Sequence, residues 1–574
     1  MWVLPSTHMA IKRHWRNGRC YLEEWRSHRE GKKVVSEYVR YLGPAPDQPK
    51  SGRGALIDRA LHGPSYRAGA VRLLWWLAED LGIPATIRTI CGREPDPTTL
   101  EAGRILTAWA INRVLDPTSA TRLELWTPTT DLPLLAKIPP EEFTKDTFLH
   151  ALDAVCYDDP ARAEVVDHLP ELEEVLSRRW REQHPLPKGE TEVLAYDLTS
   201  VLFFGVTCPI SAPGRNPDHQ QRLQVNVGAV VSRHDRMLWR HFVYRGNRHG
   251  IGTMRNLLVE LQRADVRPGL LIVDRGLVGK AIVEEVRGAE WHLLGGLSKH
   301  AKEVREVLLT TSVPETPESF VHTTRTGVIY ATKTRARLWG GEREVVVYTN
   351  AERAMDDRGE RNRALSQIAT ALTALSEKGK EWSEAKLHAA IAEVLGEWKE
   401  FVQVRVRRGG GGPRVAWAYR DRVVKEAARQ DGKYALLCTD PRLSARKVVE
   451  EYLGKDFVEK AFRTWKSGIE VEPVRHRRER RVRAYLFVCS LAYRLEMALR
   501  WKLLEGRVKL PDVAEYQERL LEDPSRVERT EIRLGAQSRA WYLNVTDHVK
   551  DALRRLKCPQ LLEEKPREPT PAVG

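Results

Sequence analysis

Several kinds of signal are missing from this 574-residue chain, and each absence excludes a class of protein. No stretch reaches 18 consecutive apolar residues, which leaves no candidate membrane-spanning helix, and no basic lead into an apolar run opens the chain as a secretory signal would. The seven cysteines, Cys20, Cys91, Cys156, Cys208, Cys438, Cys489 and Cys558, are scattered with no C-x-x-C pair. That spacing argues against a structural zinc site, and the odd count argues against a disulfide framework, so a reducing cytoplasmic setting is expected. No G-x-x-x-x-G-K-[ST] occurs, and the run Gly409 to Gly412 matches no phosphate-loop spacing, so ATP is not an expected ligand.

Charge is abundant by contrast. A composition of 42% hydrophobic and 30% charged residues is that of a soluble globular protein large enough for several cores. The net charge of +15 points to a polyanionic partner, because Lys and Arg release counterions when they neutralise phosphates. Seventeen tryptophans add rings that pack cores or stack on bases.

Along the chain the texture changes several times. The first residues interleave Trp and Tyr with Arg and Lys, and the turn at Glu30-Gly31-Lys32 predicts a hairpin. Helical spacing dominates from about Arg67 to Arg181, and His184-Pro185 to Gly189 reads as a linker. EVLAYDLTSVLFFGV is then a strongly apolar run carrying one acid, Asp197. A carboxylate inside a core strand is costly unless it is paired, hydrogen-bonded or bound to a metal. A long hairpin about His234-Asp235 and a helix follow, then GLLIVDRG, where Asp274 stands at the carboxyl end of a short buried strand. Such strand ends are where ligands and catalytic groups gather in α/β sheets. WHLLGGL reads as one further strand.

Later, YLGKDFVEKAFRTWK reads as one amphipathic helix. At about 100° per residue, Tyr452, Lys455, Glu459, Arg463 and Lys466 share one stripe, opposite Leu453, Phe457, Val458, Ala461, Phe462 and Trp465. The basic run VRHRRERRVR beyond it could line a solvated face or hold a phosphodiester backbone, and a long apolar helix comes next.

Asp197, Asp274 and Glu459 thus form a spaced D, D, E set in the element order of a ribonuclease H-like fold. The chain resembles the DDE transposases of bacterial and archaeal insertion sequences, in the insertion-sequence-four group. The resemblance rests on YDLTS, on IVDRG and on a Tyr, two residues, Arg, three residues, Glu, six residues, Lys pattern. Here that pattern is Tyr452, Lys455, Glu459 and Lys466, with Lys replacing Arg at its second position. Lys keeps the charge but loses the bidentate fork.

The resemblance implies an α/β fold, a ribonuclease H-like mixed sheet interrupted by a strand-bearing insertion and preceded by a helical domain. Residues 1–50 would be a basic hairpin region, 55–185 a helical domain and candidate for binding DNA ends, and 190–297 the first part of the core. Residues 298–442 would be the insertion, 443–505 the last part of the core, and 506–574 an appendix with a disordered tail. It further implies that the three acids are catalytic and hold Mg²⁺ or Mn²⁺, as two ions, since oxygen-only ligands suit those cations. Tyr452, Lys455, Arg463 and Lys466 would bind DNA phosphates, and Trp417 and Trp339 are candidates to stack on a displaced base. The expected partners are double-stranded DNA with terminal inverted repeats, target DNA and a second copy in a homodimer on DNA, in a nucleoid-associated location. A related nuclease that cuts without joining, and a silent DNA-binding descendant, are the alternatives.

Overall fold

The computed structural model describes residues 8–16, 19–30, 33–45, 60–92, 102–159, 164–214, 222–248, 250–264, 266–299, 301–323, 327–378, 382–409, 412–507, 513–534 and 537–563. The expected disordered tail and the centre of the glycine run lie outside them. Two compact units form, one from Met1–Tyr66, Val527–Val545 and Leu562–Gly574, the other from Arg67–Arg526 and Thr546–Leu561. Among the described residues no helix is long and apolar enough to cross a membrane.

The larger unit is built on one mixed sheet. Its strands are β1 (Val193–Leu202), β2 (Leu223–Ser232), β3 (Leu238–Arg245), β4 (Leu270–Val273), β5 (His292–Gly296), β6 (Phe320–Thr323), β7 (Val328–Leu338), β8 (Gly341–Asn350) and β9 (Lys433–Cys438). They lie in the order β3-β2-β1-β4-β5-β9-β8-β7-β6, and a two-residue strand, Ala212–Pro213, adds to β2. β1, β2 and β3 form an antiparallel meander, whereas β1, β4 and β5 run parallel. That arrangement of five strands is a ribonuclease H-like core. All four residues of β4 are buried, as a central parallel strand covered on both faces requires.

The remaining strands correct the expectation of an insertion spanning 298–442. β9 pairs antiparallel with β5, β8 with β9, and β7 with β8, so the core sheet simply continues through them. Val345, Val347, Ala435 and Leu437 share a single buried cluster with Leu194, Leu271 and Leu293. The reason lies in EREVVVYTN: Val345 to Tyr348 are buried on both strand faces, and such a strand needs neighbours on either edge. What stands apart is 351–428. There the helices Ala351–Lys378 and Glu384–Leu395 and the hairpin Val402–Gly409/Gly412–Tyr419 enclose their own core, with Leu365, Leu372, Leu387 and Val402 at its centre.

The helical region before the core falls in the same compact unit as the sheet. Helix Glu479–Glu505 buries residues around its whole circumference, from Val482 through Leu499. A helix apolar all round must be covered on every side, and Ala102–Leu115 and Lys145–Val155 pack against it. Two residues of the basic run, Arg480 and Arg481, serve this packing, while Arg475, Arg477 and Arg478 are exposed. Arg481 donates to both carboxylate oxygens of Asp153 at 2.8 and 2.6 Å, and Arg480 reaches Asp153 and Asp158.

The smaller unit holds two three-stranded sheets. His8–Arg16, Arg19–Glu30 and Lys33–Pro44 form one, so a third strand joins the expected hairpin. Glu528–Leu534 sits between Gln537–Leu543 and Ala60–Arg67 in the other. The expected appendix at 506–574 is therefore divided between the units.

Candidate active site

Asp197 lies mid-way along β1, opposite Ala229 of β2, and the backbone N–H of Leu198 donates to its Oδ1 at 2.8 Å. β4 runs parallel beside β1 with Val273 paired to Tyr196. The next position in that register sets Asp274 level with Asp197. β4 ends there because Asp274, extended at φ −77° and ψ 164°, leads into a short 3₁₀ turn, Arg275–Leu277.

The third acid arrives on a helix. Phe457, Val458, Ala461 and Phe462 form the buried face of Asp456–Arg463, which packs on β1 and β2 and leaves Glu459 on the open side. The single helix expected from Tyr452 to Lys466 is in fact three pieces. Ala445–Leu453 ends at Gly454, Asp456–Arg463 begins after Lys455, and Thr464–Gly468 is a π turn. A new start fits the sequence, because Asp456 and Glu459 in the first turn favour the positive end of a helix.

The break brings Lys455 among the acids. Its Nζ donates to Asp274 Oδ1 at 3.0 Å, lies 3.9 Å from Glu459 Oε1, and stands 5.5 Å from the Tyr452 ring centre. Burial pushes the Asp197 carboxyl up to about 6, and the charges of Asp274 and Glu459 add to that rise against Lys455. Burial also acts upward on Asp274, but the charge and hydrogen bond of Lys455 outweigh it and hold that carboxyl below the usual range. Lys455 is correspondingly raised by Asp274, Tyr452 and Asp197 in spite of its own burial.

Tyr452 depends on a glycine in β5. A Cβ on Gly296 would lie 2.6 Å from the Tyr452 hydroxyl oxygen and 3.4 Å from Cβ of Arg275. The absent side chain therefore makes room for the phenol at the end of the strand, a role that the reading of WHLLGGL as a plain strand missed. The Gly-Gly pair was the available signal, since glycine inside a strand marks a close approach. Of the other expected residues, Arg463 is exposed and Lys466 pairs with Glu472 at 3.7 Å. Trp417 packs half-buried into the core of the 351–428 region, and Trp339 packs half-buried against the sheet core. Trp339 has a left-handed backbone, φ 50°, and its N–H faces both carboxylate oxygens of Glu303 at 3.2 Å.

Among the described residues no group of three or more His, Cys, Asp or Glu is set as a ready ligand cluster for a metal. The chemistry of the converging groups nonetheless fits a hard divalent cation. All three donors are carboxylates, and their crowding is offset chiefly by the ammonium of Lys455, with the Arg275 guanidinium adding to it at Asp274.

A family model described as "Transposase DDE domain" matches residues 188–495. Among solved structures, the chain is similar to that of a piggyBac transposase synaptic complex with hairpin DNA, at 10% identity and a TM-score of 0.40, over 81% of this chain and 82% of that one. No curated protein matches. The matched segment runs from just before β1 to within the last core helix and takes in Asp197, Asp274 and Glu459; the chain belongs to the transposase DDE-domain family, whose enzymes cleave DNA and transfer strands in transposition.

Proposed function

We propose that this chain cuts DNA at the terminal inverted repeats of an insertion sequence and joins the freed 3′ ends to target DNA, with Asp197, Asp274 and Glu459 holding two Mg²⁺ or Mn²⁺ ions. The observation that carries this is the convergence of Asp274 and Glu459 on the Lys455 ammonium, with Asp197 level with Asp274 on the adjacent strand. Divalent cations bound there supply Lewis acidity at the scissile phosphate.

The chain's own groups do the rest. The β1 and β4 strands hold two of the acids on a rigid sheet, and the helix carrying Glu459 closes over them. Lys455 offers its charge to a phosphate oxygen, at the cost of its bond to Asp274, while Tyr452 presents its hydroxyl beside it. Arg463 and Lys466 serve phosphates further along the strand. A liberated 3′-hydroxyl then attacks a second phosphodiester, so bonds broken and formed balance and no nucleotide triphosphate is consumed.

Joining requires two ends in one complex, which supports a homodimer on DNA. The narrower placement in the insertion-sequence-four group rests on the spacing of Tyr452, Lys455, Glu459 and Lys466. The test uses Mg²⁺ with uncut duplexes carrying the sequences that flank the gene, and with pre-cut duplexes whose 3′ end at the element boundary is normal or 3′-deoxy. Joined product from the normal pre-cut end and none from the 3′-deoxy one supports transesterification. Cutting of the uncut duplex with no joined product from either pre-cut end identifies a nuclease instead.

A further inference from the structure

The sheet of His8–Arg16, Arg19–Glu30 and Lys33–Pro44 has two unlike faces. On one, cross-strand ion pairs neutralise the acids: Arg26 with Glu37 at 3.1 Å and Arg40 with Glu24 at 2.6 Å. The other face follows the register Lys12–Glu23–Tyr41, Ala10–Trp25–Tyr38 and Ser27–Ser36. Its rings meet across all three strands. His14 stacks on Trp25 with centroids 6.4 Å apart, Tyr38 meets Trp25 edge-on at 5.9 Å, and Tyr21 lies 5.8 Å from Tyr41. Lys12 stands 4.5 Å above the Trp25 ring.

The acid on this face, Glu23, is 6% exposed and takes the Trp25 indole N–H at 3.2 Å. Tyr38 and Tyr41 are by contrast 51% and 52% exposed. What the face offers is therefore one ammonium, an imidazole, hydroxyls and aromatic rings, without an exposed carboxylate among its described groups. The segment 8–45 carries nine Lys or Arg against four Glu, so the field around it is positive.

We infer that this face is a DNA-binding surface, distinct from the three-acid site, that takes duplex DNA through its grooves and phosphates. Strands about 4.8 Å apart let two adjacent strands of this sheet enter a major groove about 12 Å wide, with the third against its phosphate edge. Hydroxyls and Lys12 suit phosphate and base-edge acceptors alike, and the rings give apolar contact to thymine methyls. The inference rests on the chain acting on DNA, but its test needs no catalysis.

The experiment measures binding of the full chain, in EDTA, to a duplex carrying the gene's flanking sequences, to a scrambled duplex and to the matching single strand. Tyr38→Ala/Tyr41→Ala is expected to weaken duplex binding about tenfold or more, and Lys12→Ala to lower the slope of log K against log salt by about 0.9. Ile11→Ser, on the opposite face and 63% exposed, is the control for folding and is expected to bind as wild type. Glu459→Ala is expected to keep full duplex binding while losing cleavage, which separates failure of this surface from failure of the active-site reading. Wild-type affinity in the double variant and in Lys12→Ala overturns the inference. A loss confined to the single strand also overturns it, in favour of a platform for unpaired bases.

Discussion

Gly296→Ala tests how the site is assembled, because the substitution replaces neither an acid nor a cation and its clash falls on the Tyr452 phenol. The added methyl would stand 2.6 Å from the Tyr452 hydroxyl oxygen, and ordinary contact begins near 3.4 Å. The phenol must then retreat by about 0.8 Å, taking with it the end of the helix that leads into Lys455. A misplacement of about 1 Å in a positioning group costs on the order of 100-fold in rate. The expected result is a single-turnover cleavage rate roughly 100-fold lower in saturating Mg²⁺, with the melting temperature of the metal-free protein within a few degrees of wild type. Tyr452→Ala removes the clash, so adding Gly296→Ala to it is expected to cost little more, and the two effects are strongly non-additive. Full additivity, or a Gly296→Ala enzyme with wild-type rate, would refute the reasoning.

Three further outcomes follow from the same contacts. Lys455→Ala removes the ammonium nearest Asp274 and Glu459, so Mn²⁺ binding measured by calorimetry without DNA is expected to tighten several-fold; unchanged or weaker binding would contradict the placement of that ammonium. Trp417→Ala is expected to lower stability by about 2–3 kcal/mol through loss of packing in the 351–428 core, read by thermal melting alongside the joining yield per folded molecule. Burial raises the Glu496 carboxyl to about 7. A carboxyl whose folded value exceeds its unfolded one contributes stability that is present at low pH and lost as pH rises from about 4.5 through 7. Glu496→Gln is therefore expected to stabilise the protein at pH 8 by on the order of 2 kcal/mol, after allowance for solvent access, and hardly at all at pH 4.5. An equal shift at both values would exclude that titration.

That Asp197, Asp274 and Glu459 would lie near one another was legible because each broke its local pattern: one charge inside an apolar strand, one at the end of a buried strand, one on a polar stripe. The core topology was legible from hairpin and strand spacing for the same physical reason, since buried strands carry continuous apolar runs. The extent of the insertion was not, because EREVVVYTN and KYALLC look alike whether they close a separate sheet or extend an old one, and only pairing partners distinguish the two. The helix break at Gly454 was masked by a stripe that stays continuous across it. Lys455 still reaches the acids because its side chain is long, whereas the π turn at Thr464 carries Lys466 toward Glu472. The packing role of Arg480 and Arg481 in the basic run was not legible beside the solvated-face and phosphate readings, because their acid partners Asp153 and Asp158 are distant in sequence.

The central claim is that Asp197, Asp274 and Glu459 act together on one phosphodiester. The most direct measurement compares Mg²⁺-dependent cleavage and joining at the correct DNA ends by wild type, Asp197→Asn, Asp274→Asn and Glu459→Gln, with DNA binding recorded in parallel. The account predicts that each single substitution abolishes both reactions while binding persists. A variant that still cuts and joins at the wild-type rate would contradict it.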